Sequence, residues 1–174
     1  MLESQMNILK KNIKFLITLF ILLGVSFNSS LVYAAGNVDA DSDKATLYNS
    51  GKKLILRAKK LEKKDKIEKA KKLYLKAYKK LEKAYAKDKK NADILNYLGY
   101  TLRKTGDLEQ AEVYYLKGLE IDSGHLGINE YLGELYVQTG RIELAKERLQ
   151  VLDGCKCEEY EELRELIEEK KDLY

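Results

Sequence analysis

A spacing of 34 residues constrains this chain more than any other feature. Sliding "EYLGELYVQTGRIELAKERLQVLD" back by 34 positions pairs Tyr97 with Tyr131, Leu98 with Leu132 and Gly99 with Gly133. The same shift pairs Thr105 with Thr139, Gly106 with Gly140, Glu109 with Glu143 and Ala111 with Ala145. A skeleton of small and apolar residues at a fixed interval marks a repeated supersecondary unit, each copy covering the apolar face of the last. The chain has no proline and is rich in Lys, Leu, Ala and Glu, so the unit is helical.

Within one copy, Leu95, Leu98, Gly99 and Leu102 form a helical stripe over about 92–104. Gly106 suits a left-handed helix end, and Asp107 can cap a second helix in which Ala111 and Tyr115 face the first. Gly118 adds a further small place. The next copy repeats this with Leu132, Gly133, Tyr136, Gly140, Ala145, Leu149 and Leu152. Upstream, Leu47, Gly51, Leu54, Ala58 and Leu61 step by four and three, as do Ile67, Ala70, Tyr74, Ala77, Leu81 and Ala84. That pattern predicts a seam between two antiparallel helices.

These motifs resemble the tetratricopeptide repeat, with Ala92 and Leu126 opening two units in phase. Ser123 stands where the family often has proline. The front segment fits the family pattern in two frames seven residues apart, which predicts a hairpin with each helix lengthened by about two turns. Asp65 takes the family's turn-glycine place there. After the last unit, Tyr160, Leu163, Ile167 and Tyr174 form an apolar stripe on an acidic segment, as expected of a capping helix. The resemblance also extends to exported bacterial members of the family, in which cysteines precede a Glu-rich helix. The resulting fold class is all-α, a short α-solenoid with a lengthened first hairpin. Its expected segments are a signal peptide (1–34), a flexible linker (35–43), a basic hairpin (44–90), two units (91–125 and 126–154) and a cap (155–174).

The first segment is read from its own pattern. Lys10, Lys11 and Lys14 precede the apolar run "FLITLFILLGVSF", followed by small residues that fit cleavage after Ala34. The run is shorter than the roughly 20 residues of a membrane span. A periplasmic or secreted protein is therefore expected, with an uncleaved membrane anchor as the alternative reading of the segment.

Charge is divided along the chain. Residues 44–90 hold 19 Lys and Arg against 5 Asp and Glu, a net of +14, whereas residues 91–174 hold 10 against 19, a net of −9. Tyr74, Tyr78 and Tyr85 fall on the core stripe of the basic hairpin, so they cannot stack on bases, and no nucleic-acid role is expected. An anionic membrane surface, an acidic protein, or the acidic end of another copy remain compatible with the lysines.

The family resemblance implies a concave groove for a protein or peptide partner. Carried onto this chain, its lining is Asp93, Asn96, Tyr100, Arg103 and Lys104, then Gly127, Glu130, Glu134, Val137 and Gln138. The set lacks the Lys and Asn concentration that family members use for a terminal carboxylate. Cys155 and Cys157 are the two cysteines. They are compatible with a local disulfide, an exchange-active or intermolecular thiol, or an unpaired or metal-occupied pair. His125 reads as a turn residue. No phosphate loop, nucleophile elbow or histidine cluster is present, so the expectation is a non-enzymatic scaffold with no cofactor or metal.

Overall fold

The computed structural model describes residues 31–170, with side chains from residue 42. The chain divides into two compact units, 1–39 and 40–174. In the first, only the start of a helix is described; the second holds the remaining helices. The described elements are α1 (Leu31–Glu62), α2 (Ile67–Lys87), α3 (Ala92–Thr105), α4 (Leu108–Ile121), α5 (Leu126–Gln138), α6 (Ile142–Val151) and α7 (Glu158–Lys170). Helix α3 packs on α2 and α4, α5 packs on α3, α4 and α6, and α7 packs on α5 and α6. The result is an all-α solenoid of helix pairs finished by a single helix.

Local chemistry sets the helix ends. Asn91 Oδ1 accepts from Ile94 N at 3.1 Å and Asp107 Oδ1 accepts from Gln110 N at 3.2 Å, so both side chains satisfy a first-turn amide. Gly106 and Gly140 end α3 and the α5 turn at φ 101° and 75°, where a Cβ is unfavourable. Asp65 takes the equivalent place between α1 and α2 at φ 55°, which a short polar side chain tolerates.

Two apolar clusters form the interior. One joins α1 and α2 to α3, and the other joins α3 to α4, α5, α6 and α7. On α2 the buried residues are Ala70, Tyr74, Ala77, Leu81 and Ala84. The expected seam needs two corrections. Ile55 is buried while Leu54 stands to one side, because a 3.6-residue helix drifts from a 3.5-residue stripe. Ile67 is exposed, because it opens α2 just after the turn at the end of α1.

The segment boundaries also shift. Residues 35–43, expected as a linker, lie inside α1, and with no proline nothing there stops a helix. The capping helix starts at Glu158, with residues 155–157 in the turn before it. Leu163 and Ile167 are buried as the stripe requires, whereas Tyr174 lies outside the described residues. The expected signal segment lies outside them up to residue 30.

Close helix approach depends on missing side chains. A Cβ on Gly99 would stand 2.5 Å from Tyr115 Cε1, and Tyr115 is fully buried with no room to withdraw. Gly99→Ala is expected to cost about 1–3 kcal/mol through overpacking, read by denaturant unfolding. Gly124→Ala meets only an ordinary contact with Asp122 and is expected to change stability by no more than about 0.5 kcal/mol. Equal midpoints for the two variants would show that α3 and α4 are not held at this distance.

Candidate functional site

The first helices of successive pairs, α1, α3 and α5, share a face crossed by tyrosines and cations. Tyr48 and Tyr97 have ring centroids 5.9 Å apart, and Tyr100 and Tyr131 are 4.7 Å apart. Lys52 Nζ lies 5.3 Å and 5.5 Å from the first two rings. Lys59 Nζ lies 4.9 Å and 5.6 Å from the second two and donates to Tyr131 Oη at 3.4 Å. Arg103 is 5.7 Å from the same two centroids. A cation over a ring contributes about 0.5–2 kcal/mol, more where water is excluded. These contacts tie three helices together along one face.

The expected groove residues separate into two groups. Asp93 and Gln138 are exposed, and Gly127 is half-buried. Asn96, Tyr100 and Glu130 are only 5%, 4% and 3% exposed, and Val137 is buried too. Arg103 pairs with Glu134 across α3 and α5. Lys104 Nζ lies 3.0 Å from Glu62 Oε1, while Glu62 Oε2 accepts from Tyr74 Oη at 2.9 Å. The expectation of one open row is thus corrected: neighbours of α3 and α5 cover much of it, with Lys59 of α1 over Tyr100 and Leu163 of α7 against Gly133.

Two pockets stay open beside the covered residues. The larger, about 400 Å³, is lined by Asp93, Asn96, Tyr97, His125, Glu130 and Tyr131, among others. The smaller, about 360 Å³, lies among Arg103, Glu134, Val137, Gln138, Leu166 and Lys170. Both fall within the range of ligand-sized clefts. In the larger, Asn96 Oδ1 is buried without a hydrogen-bond partner. His125 caps α5 by accepting from Ile128 N through Nδ1 at 3.2 Å, and its Nε2 faces Asp93 at 3.4 Å. This is the turn position expected of it, with a capping role the sequence did not disclose.

Glu130 is the unusual titrating group of the site. Burial pushes its carboxyl up to about 9, reinforced by a carboxyl contact with Glu162 and by the nearby charges of Glu134, Glu162 and Glu159. Oxygens of Glu130, Glu134 and Glu162 lie within 4.8 Å of one another. The i, i+4 spacing of Glu130 and Glu134 is visible in the sequence, but no local signal singles out Glu162 among its acidic neighbours.

Cys155 and Cys157 are joined in a disulfide, with Cα atoms 5.2 Å apart, in the turn between α6 and α7. Of the three arrangements open from the sequence, this is the local clip. On the basic hairpin Tyr74 is buried, and Tyr78 and Tyr85 pack against the core.

Comparison with known proteins bears on the repeat. A family model described as "Tetratricopeptide repeat" matches residues 80–113, from late α2 to early α4. Among solved structures the chain is similar to a tetratricopeptide repeat protein from Parabacteroides merdae, at 16% identity and a TM-score of 0.51. That alignment covers 72% of this chain and 62% of the other, so the chain spans less than two thirds of it. It is also similar to the Yersinia enterocolitica type III secretion chaperone SycD in complex with a peptide of the translocator YopD. There the identity is 20%, the coverage 70% and 92%, and the TM-score 0.46. A third is the second TPR domain of human RPAP3 in complex with an HSP70 peptide, at 20% identity, 71% and 97% coverage and a TM-score of 0.47. No curated protein matches the chain in sequence.

The Glu130 environment makes stability depend on pH. An unfolded glutamate loses its proton near 4.3, whereas the folded one keeps it up to about 9. The folded state binds more protons between those values, so this residue's contribution falls as pH rises and levels off above 9. Glu130→Gln is expected to gain stability over the parent progressively from pH 5 to pH 9 in chelator-treated buffer, followed by thermal unfolding. A constant difference between the two proteins across that range would place an ionised Glu130 in the folded state.

Proposed function

We propose that the chain, whose residues 80–113 match a tetratricopeptide-repeat family model, is a non-enzymatic scaffold holding a protein partner on the α1–α3–α5 face. The observation that carries this reading is the larger pocket, where a buried acceptor without a donor, Asn96 Oδ1, stands among aromatic and acidic walls. A buried acceptor left unpaired costs about 1–3 kcal/mol. An N–H from an extended peptide would offset that cost if the Asn96 side chain turns toward the cleft. Tyr97 and Tyr131 supply apolar walls, and Asp93 and Glu159 favour a peptide with a basic side chain. The site we assign is therefore centred on Asp93, Asn96 and Tyr97. Tyr100, Arg103 and Glu134 serve as its support.

The amino-terminal pattern over residues 1–34 supports export, with the scaffold working in the periplasm or outside the cell. No helix among the described residues is long and apolar enough to cross a membrane. The lysines exposed along α2 favour a second reading, in which the hairpin holds the protein to an anionic surface or to the acidic end of another copy. The two readings differ in salt response, because contacts among exposed charges are screened within about 10 Å at 0.1 M salt.

Affinity capture from a cell-envelope extract, at low and high salt, tests the proposal. Tyr97→Ala and Asp93→Lys change the pocket rim and leave the Arg103–Glu134 support intact. Each is expected to reduce capture at high salt about tenfold or more, with an unchanged circular dichroism spectrum. Capture that survives both substitutions and disappears with salt would transfer the function to the α2 lysines.

A further inference from the structure

Helix α2 carries lysines on a face that the array does not use. Lys69, Lys72, Lys76, Lys80 and Lys83 follow one another at steps of three and four, so they form one row, and all of them are exposed. The carboxylates of α2, Glu68 and Glu82, lie off that row. Glu68 pairs with Lys71 and Asp43 with Lys87, whereas the lysines of the row pair with no carboxylate among the described residues. Leu75, 49% exposed, borders the row. Exposed lysines alone make an ordinary solvated face, so the deciding observation is a complementary surface at the other end of the array.

On α7, Arg164 holds Glu161, Glu165 and Glu168, and Lys170 holds Glu169. Glu158, Glu159 and Glu162 are left over and line a cleft of about 150 Å³, with Lys59 the only cation among the described residues around it. The Lys59 ammonium is drawn away to Tyr131 Oη and to the faces of Tyr100 and Tyr131. Glu159 also lines the larger pocket, where Asp93 and Asp122 add carboxylates and no lysine or arginine stands among the described residues. Leu126, 39% exposed, lies on the wall of that pocket. The two openings share Glu159 and Tyr131 and so form one acidic trough. A water takes about 30 Å³, so the trough has room for the ends of lysine side chains. The row cannot reach it within one molecule. Helix α2 turns Ala70, Tyr74, Ala77, Leu81 and Ala84 into the core shared with α1 and α3, which points the row outward, while α7 closes the far end on α5 and α6.

We infer that the α2 lysine row of one molecule docks in the acidic trough of a second copy, so that the protein associates head to tail through two different surfaces. This rests on the second reading above, in which the α2 lysines do the holding, and commits that reading to one occupant. A contact between unlike patches does not close on itself in a pair. Each bound copy leaves one row and one trough unoccupied, and open chains grow. The charges orient the contact, and their exposure makes it sensitive to salt. Leu75 beside the row and Leu126 beside the trough give each surface an apolar contact within its charged surroundings.

The test is sedimentation velocity of the full chain over a concentration series, at low salt and at about 0.5 M, with flotation on phosphatidylglycerol vesicles in parallel. Species larger than a dimer are expected at low salt and are expected to shrink at high salt. One variant neutralises the row (Lys72→Gln, Lys76→Gln and Lys80→Gln) and another the trough (Glu158→Gln and Glu159→Gln). Each alone is expected to raise the concentration needed for association by about tenfold or more. Mixed together, the two variants retain one intact row and one intact trough, so pairs form and growth stops there. That recovery also separates a lost contact from a lost fold. A control with the same loss of positive charge at exposed positions off the row, Lys53→Gln with Lys63→Gln and Lys89→Gln, is expected to associate like the parent. The inference is overturned if no salt-sensitive association occurs up to about millimolar protein, if both variants associate like the parent, or if their mixture does not pair. Vesicle binding that needs the row, without association between copies, would keep the second reading and discard this inference. Neither vesicle binding nor association would discard both.

Discussion

The structure depends on how closely one helix can approach the next, and glycines set that distance. A Cβ at Gly51 would meet Leu81, one at Gly99 would meet Tyr115, one at Gly118 would meet Ile128 and one at Gly133 would meet Leu163. The first two contacts lie inside helix pairs, and the last two join a pair to the next pair or to the capping helix. Each inserted side chain is apolar and buried, so the chain gains packing at the point where its own helix offers no side chain. A helix pair made this way still exposes an apolar face, and only another pair or a single capping helix covers it. The length of the array and the existence of α7 both stem from that requirement.

Charge organises the face that these contacts expose. The rings of Tyr48, Tyr97, Tyr100 and Tyr131 are overlaid by Lys52, Lys59 and Arg103, so basic residues of α1 and α3 spend their charge on neighbouring aromatic surface. Toward α7 the balance reverses, with Glu130, Glu158, Glu159 and Glu162 around one cleft. The +14 and −9 division of the sequence is therefore also a gradient across the repeat array. Surface pairs such as Arg164 with Glu161 add little stability by comparison, since water and salt screen them.

Much of the fold was legible because its signals are local. The 34-residue interval, Gly106, Asp107 and the Ala70–Ala84 stripe each report on their own helix or turn, and the corresponding helices and ends lie where those residues imply. The errors arise where a residue's state is decided by distant chain. Tyr100 and Glu130 occupy helix positions that a shorter array would leave open. Here Lys59, forty-one residues before Tyr100, and Glu162, thirty-two residues after Glu130, stand over them. Periodicity tells which face of α5 turns from α6, but it cannot tell what comes to rest on that face. Ile55 shows the same limit in miniature, since a small drift of the helical stripe decides between it and Leu54.

The carboxylate cluster and the end of the solenoid share one cause. Leu163 enters the space left by Gly133, and this seats α7 on α5. Glu162 is the residue before Leu163, so the contact that buries the leucine also brings its neighbour to the rim of the same seam, opposite Glu130 and Glu134. Without α7, Glu130 would be an ordinary solvated glutamate with an ordinary affinity for protons. With α7 in place, its carboxyl must hold a proton or face its neighbours as a charge. Capping an array with an acidic helix thus creates an electrostatic problem at the last seam. Whatever resolves that problem also determines how firmly the array is closed.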